Sequence, residues 1–173
     1  MPIAQAQGFN PYAVLTHAWD ESGAFGHVIG QNNYWGIKTP QKSVWTGIVA
    51  EVWTHEDEAI VGSESADDAI ARLIKKYGVS KGRMDGTVQN KKGQSFWHFA
   101  LPLTFRDWTT CEAALSWYCD FVQKVYPAAY ANRSNPDLYF EGLKGWATNP
   151  NYIADLKALN LILQKDYPDL TQI

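Results

Sequence analysis

Asn10-Pro11-Tyr12-Ala13-Val14-Leu15-Thr16-His17-Ala18-Trp19-Asp20-Glu21-Ser22-Gly23 is the stretch on which the reading turns. Asparagine before proline supplies an N-cap followed by a residue whose missing N–H is one of the helix's unpaired donors anyway. Val14, Leu15, Ala18 and Ser22 recur at helical spacing until Gly23 and Gly26 stop the run. Glu21 stands three residues after Ala18 and seven after Val14, so it continues the apolar face of this helix. A carboxyl group so placed loses hydration, and the neutral acid that this favours can donate a proton. Cleavage of a glycosidic bond needs such an acid on the leaving oxygen and usually a second carboxylate across the sugar. Asp20 points about 100° away round the helix and is not that partner. Glu51, Glu56, Asp57, Glu58 and Glu64 cluster further along and are the candidates. From these residues alone, Glu21 reads more readily as an ordinary glutamate closing a helix than as a proton donor.

After this helix, residues 24–43 read as a loop rich in Gly and Asn, carrying Gln31-Asn32-Asn33-Tyr34-Trp35-Gly36. Residues 44–54 are β-branched and aromatic, which predicts one or two strands. Ser65 with Asp68 forms a capping signal for a helix carrying Ile70, Leu73, Ile74 and Tyr77 and stopped by Gly78. Asn90-Lys91-Lys92-Gly93 is a hairpin turn ahead of the strand-like run from Phe96 to Phe105. Thr109 with Glu112 caps the next helix, whose stripe is Leu115, Tyr118, Cys119, Val122 and Val125. Asn135-Pro136 opens a short helix closed by Gly142 and Gly145. Asn149-Pro150 opens the last one, with Ile153, Leu156, Leu159 and Leu163 inward. The expectation is an α+β, mainly α fold. A helical body is interrupted by a small β lobe around 44–106, with a cleft between them, and residues 1–173 form one domain.

Composition narrows the function classes. The 173 residues carry a net charge of -3, and 19% are charged, below the roughly 25% of ordinary soluble domains. A slightly acidic chain lacks the clustered Lys and Arg that phosphate neutralisation needs, so no nucleic acid is expected. No apolar run reaches the 18 or so residues of a membrane span, and no signal peptide is expected at the N-terminus. The His55-Glu56-Asp57-Glu58-Ala59 segment starts like a zinc motif but has no second histidine four residues on. His17, His27, His55 and His98 have no ligand spacing and read as surface or core histidines, so no metal and no cofactor are expected. Cys111 and Cys119 are eight residues apart on one helix, about 12 Å and beyond disulfide reach. Both read as reduced, buried hydrophobes. The 8 Trp are the strongest compositional signal, serving either a core or a flat-faced ligand such as a sugar.

Five elements in order carry a resemblance. Trp19-Asp20-Glu21-Ser22-Gly23 is followed by Asn32-Asn33-Tyr34-Trp35-Gly36-Ile37-Lys38, then Thr54-His55-Glu56, Phe105-Arg106-Asp107-Trp108 and Gly145-Trp146-Ala147-Thr148-Asn149-Pro150-Asn151-Tyr152. Together they resemble the family 73 glycoside hydrolases, peptidoglycan-cleaving β-N-acetylglucosaminidases of autolysins and flagellar rod-associated hydrolases. The resemblance spans about residues 10–165. It implies a lysozyme-like body with a β lobe, Glu21 as general acid, Glu56 as second carboxylate and Tyr152 as active-site tyrosine. It also implies that Asn32, Asn33, Tyr34, Trp35 and Trp146 bind the sugar, the rings by stacking and the amides on rim hydroxyls. Trp53, Trp108 and Trp117 read as packing, while Trp45 and Trp97 are assigned to neither role.

The chain departs from the family in a longer 57–104 segment, an enlarged β lobe that leaves Asp57, Glu58 and Glu64 as rivals of Glu56. It also has Ala24-Phe25-Gly26 in place of Trp-Gly after the Glu-Ser-Gly turn. The implied activity is cleavage of the β-1,4 bond after N-acetylglucosamine. The route is either water activated by a β-lobe carboxylate or assistance by the substrate's own acetamido group. The rivals are lysozyme-type cleavage on the muramic acid side and a non-catalytic wall-binding module. The expected partner is the peptidoglycan glycan strand, met by a monomer at the bacterial cell wall (periplasmic, extracellular or phage-borne), with no membrane association.

Overall fold

The computed structural model describes residues 2–39, 48–60, 62–90, 93–147 and 149–169. Trp45 and the 44–47 end of the expected strand, Lys91 and Lys92 of the turn, and Thr148 lie outside these residues. The chain divides into two compact units, one formed by Met1–Gly36 with Trp108–Ile173 and the other by Ile37–Asp107. The expected 44–106 lobe falls within the second.

The first unit is helical. It holds α1 (Pro2–Ala6), α2 (Pro11–Glu21), α3 (Cys111–Val125), α4 (Pro127–Ala131), α5 (Pro136–Gly142) and α6 (Tyr152–Asp166). Asn10 caps α2 as its sequence predicts, its side chain accepting from the Tyr12 and Ala13 amides. Asn135 does the same for α5 through Leu138 N–H. At α3 the cap is Thr110, one residue later than expected, because its extended backbone turns the hydroxyl onto Ala113 N–H. Tyr118, Tyr139, Phe140, Leu143 and Leu156 are fully buried and make the core. Gly142 allows α4 and α5 to close up, since a Cβ there would sit 2.2 Å from the Ala129 amide nitrogen.

Three expectations shift. The last helix begins at Tyr152, and its buried stripe is Tyr152, Leu156, Asn160 and Leu163, with Leu159 only half-buried. Asn160 can be inside because Thr16 Oγ1 of α2 donates to its Oδ1 at 3.2 Å, which removes the penalty of an unpaired buried amide. Val125 ends the α3 stripe exposed. Cys111 is exposed and only Cys119 is buried, because position 111 is the first residue of α3 and precedes its buried face. Burial pushes the Cys119 thiol up to about 12, so it stays a protonated, inert hydrophobe.

The second unit is a three-stranded antiparallel sheet with one helix. Its elements are β1 (Ile48–Ala59), α7 (Ala66–Tyr77), β2 (Arg83–Gln89) and β3 (Ser95–Asp107), in sheet order β1-β3-β2. Ser65 caps α7 by accepting from Asp68 N–H, and Gly78 closes it in the left-handed region. β3 is the central strand and is buried on both faces from Phe99 to Leu103, which explains its nearly continuous apolar run. Successive side chains of β1 alternate faces, so Glu56 and Glu58 share one face and His55 and Asp57 the other. Trp53 corrects its packing assignment. It is 44% exposed, with Arg83 and Lys81 lying over its ring.

Candidate active site

Glu21 is the last residue of α2, and the Glu-Ser-Gly turn is built from the hydroxyl that follows it. Ser22 Oγ donates to Ala18 O at 2.6 Å and accepts from Phe25 N–H at 3.0 Å, sealing the helix end. Gly23, Ala24 and Phe25 then run consecutively in the left-handed region, with φ of 55°, 57° and 62°. Only the glycine takes that conformation without strain. The turn holds Phe25 at the surface with its ring edge against Trp19 and Tyr34.

Tyr152, the first residue of α6, donates its hydroxyl to Glu21 Oε1. The Glu21 side chain keeps 21% exposure, and its Oε2 has no hydrogen-bond partner among the described residues. Behind it lies His17, one helical turn earlier and fully buried. His17 Nε2 is 3.7 Å from Glu21 Oε1, and its Nδ1 is hydrogen-bonded to Tyr118 Oη at 2.5 Å. Tyr118 Oη in turn is hydrogen-bonded to Tyr139 Oη. Burial first, then the charge of Glu21 and the bond to it, push the Tyr152 phenol far above its ordinary range, so it remains a donor. Tyr126 is raised by burial and by Glu21. Asp20 is raised by partial burial, with the Glu21 charge second.

Of the sequence-predicted residues, the structure brings Glu21 and Tyr152 into direct contact. Trp146 is half-buried beside them, its ring meeting the edge of His17 at a centroid distance of 4.3 Å. Tyr34 is half-buried as well and donates to Asn32 Oδ1. The other three are placed differently from the sugar-contact expectation. Trp35 is 3% exposed and lies flat on Tyr118, with centroids 4.0 Å apart, so one ring face is already covered. Asn33 is 1% exposed. Asn32 donates to Trp108 O at 2.6 Å and accepts from Tyr34, so its amide ties the loop to the helical unit. The Asn32 amide is thus used by the fold, its NH2 satisfying a backbone carbonyl outside the loop.

An apolar cavity of about 320 Å³ runs beside α2, lined by Val14, Leu15, Ala18, Phe25, Tyr34, Trp35, Cys111 and Leu115. A more polar one of about 520 Å³ includes Tyr152, Asn149, Glu141 and Lys157. His17, expected at the surface or in the core, lies in the core, and the 3.7 Å approach of its Nε2 to Glu21 is a feature that sequence reasoning missed. The signal was available, since positions 17 and 21 are one turn apart on one face.

Glu56 belongs to the second unit. Its Oε1 accepts from Lys38 Nζ at 2.5 Å and its Oε2 from Tyr77 Oη at 2.7 Å. Its rivals are also engaged: Asp57 with His98, Glu58 with Arg72 and Lys76, and Glu64 with Arg72. Among the described residues, no group of three or more His, Cys, Asp and Glu is arranged to hold a metal ion. No described helix is long and apolar enough to cross a membrane.

No family model and no curated protein matches the chain. Solved structures do. A C-terminally truncated glycoside hydrolase domain of FlgJ from Salmonella typhimurium aligns at a TM-score of 0.58 and 20% identity, covering 94% of this chain and 91% of that one. A mutant peptidoglycan hydrolase from Sphingomonas sp. A1 aligns at 0.56 and 20% identity, covering 92% and 84%. At that identity the likeness shows architecture. The chain has a mainly helical, lysozyme-like α+β fold with a three-stranded antiparallel sheet.

Proposed function

We propose that this protein hydrolyses the glycan strand of peptidoglycan at the β-1,4 bond after N-acetylglucosamine, acting as a monomer at the cell wall with Glu21 as general acid. The observation that carries the reading is the Glu21 carboxyl at the Glu-Ser-Gly turn, with one oxygen held by Tyr152 and the other open. A single donor orients the group while leaving an oxygen to deliver the proton. The two solved hydrolases of like fold support the choice of substrate.

In the reaction Glu21 gives its proton to the leaving sugar oxygen as the glycosidic C–O bond breaks. The carbonyl oxygen of the cleaved sugar's own acetamido group bonds to the anomeric carbon and absorbs the developing positive charge. Water then adds to that carbon, the acetamido group departs, and the water's spare proton returns to Glu21. The pairing of both Glu56 oxygens with Lys38 and Tyr77 favours this route over a water-activating role for Glu56.

Clearing of purified sacculi, with mass analysis of the fragments, is the test. Wild-type protein is expected to release fragments ending in reducing N-acetylglucosamine, and a folded Glu21→Gln variant to release none. An unchanged rate for that variant sinks the reading, as does wild-type protein that binds sacculi without cleaving them. Reducing muramic acid ends would transfer the cut to the other bond.

A further inference from the structure

We infer that His17 is a positioning residue for Glu21, the last link of a donor chain running Tyr139, Tyr118, His17, Glu21, which fixes the transferable proton on Glu21 Oε2. The inference rests on the reading of Glu21 as the general acid and adds how its proton is placed.

Tyr139 and Tyr118 are both fully buried, and each hydroxyl has one proton. In one arrangement Tyr139 donates to Tyr118, Tyr118 donates to His17 Nδ1, and the imidazole proton sits on Nε2. Every proton then has an acceptor or an acceptor to face, because Nε2–H looks at Glu21 Oε1 from 3.7 Å. In the reverse arrangement His17 Nδ1–H donates to Tyr118 and Tyr118 to Tyr139. That strands the Tyr139 proton, which has no other acceptor among the described residues, and turns a bare nitrogen lone pair toward a carboxyl oxygen. Each arrangement leaves one buried proton without a hydrogen bond, but the first aims it at a carboxyl oxygen 3.7 Å away while the second sets a nitrogen lone pair against that oxygen, so the first arrangement holds.

His17 Nε2 is buried and has no hydrogen-bond partner among the described residues. At 3.7 Å it makes no hydrogen bond to the resting carboxyl. It is placed to close on Oε1 when Glu21 gives up its proton and takes full charge, as catalytic contacts often tighten during the reaction. Oε1 is thus faced by two donors, the Tyr152 hydroxyl and His17 Nε2–H, and the acid proton belongs on Oε2. The ring is clamped edge-on by Trp146 and Tyr118. The titratable groups around this pair are Asp20 on α2, Tyr118 on α3, Tyr126 at its end, Tyr139 on α5, and Tyr152 and Asp155 on α6.

The experiment has one arm that needs no catalysis. Nitrogen NMR of histidine-labelled protein, with His17→Gln to assign the signal, is expected to show a neutral ring protonated at Nε2. A ring protonated at Nδ1, or at both nitrogens, overturns the inference. The second arm measures pH–rate profiles on sacculi. His17→Leu is expected to lower kcat about 10- to 100-fold with KM little changed and to move the alkaline limb to higher pH, since a donor to the carboxylate is lost. His17→Gln, which keeps an N–H in that place, should stay within about threefold of wild type. A folded His17→Leu protein with wild-type kcat and profile overturns the inference. If His17→Leu does not fold, Tyr118→Phe takes its place. Deprived of its donor, Nδ1 should gain the proton in part of the population, and an unchanged ring signal counts against the chain. Glu21→Gln separates the two readings. If that variant is active, the general-acid reading falls. If it is inactive while His17→Leu is not impaired, the His17 inference falls alone.

Discussion

The two units each hold a glutamate that accepts a phenol hydroxyl: Glu21 with Tyr152 in the helical unit, Glu56 with Tyr77 in the sheet unit. Both phenols are pushed well above their ordinary range, by burial first and by the glutamate second. The difference lies in the second oxygen. Lys38 occupies it on Glu56, whereas on Glu21 it has no partner among the described residues, and the remaining neighbour is a buried imidazole. The pair with a cation is a charge-paired strut across the sheet and its helix. The pair without one keeps an oxygen that no described residue binds. Identical residue types therefore sit in different surroundings according to what completes the set.

The largest effect that can break this contrast is Glu21→Gln, expected to reduce sacculus clearing by at least about 100-fold with the fold intact. Tyr152→Phe comes next. It leaves Glu21 in place but frees it to turn, and a loss of about 10- to 100-fold is expected in kcat with KM nearly constant. Glu56→Gln should cost less than about tenfold, by loosening the Lys38 and Tyr77 contacts, and its melting temperature should fall alongside. A loss as deep as that of Glu21→Gln would make Glu56 a reacting carboxylate and remove the acetamido route.

Alkaline stability depends on both phenols. Tyr152 and Tyr77 have folded pKa values raised above the unfolded 10.0. Below that value both states hold the proton. Above it the unfolded chain releases protons that the native state keeps, so stability falls as pH rises. Urea midpoints measured between about pH 9 and 11 should therefore decline, and Tyr152→Phe and Tyr77→Phe should each make the decline shallower. Equal slopes in all three proteins would mean that neither phenol is held protonated. The smallest effect concerns the turn after Glu21, which is strained where the strand carrying Glu56 is regular. Ala24→Gly should raise stability by about 1 kcal/mol in denaturant titration by relieving its φ of 57°.

Much of this was legible along the chain. Asn10, Ser65 and Asn135 cap helices as read, and Gly78 ends one as read, because capping is a contact between residues two to four positions apart. The apolar run after Gly93 became the central strand for a similarly local reason, since burial on both faces needs continuous apolar residues. The aromatics expected to bind sugar were less legible. Trp35 has the residue type of a sugar platform, but whether a ring face is open or covered depends on Tyr118, distant in sequence. Trp53 failed in the opposite direction, reading as packing while standing exposed under Arg83 and Lys81.

Local order along the chain was enough to place Glu21 at the end of a capped helix, on its apolar side, ahead of a Ser-Gly turn. Period, caps and turn chemistry act over a few residues, so sequence carries them in full. Which groups gather round that carboxyl was decided only by packing. Tyr152 comes from 131 positions away, and Tyr118 reaches the back of His17 across 101. Such contacts follow from how helices dock and not from any local pattern. They turn a glutamate at a helix end into an oriented carboxyl with one oxygen held and the other without a partner among the described residues.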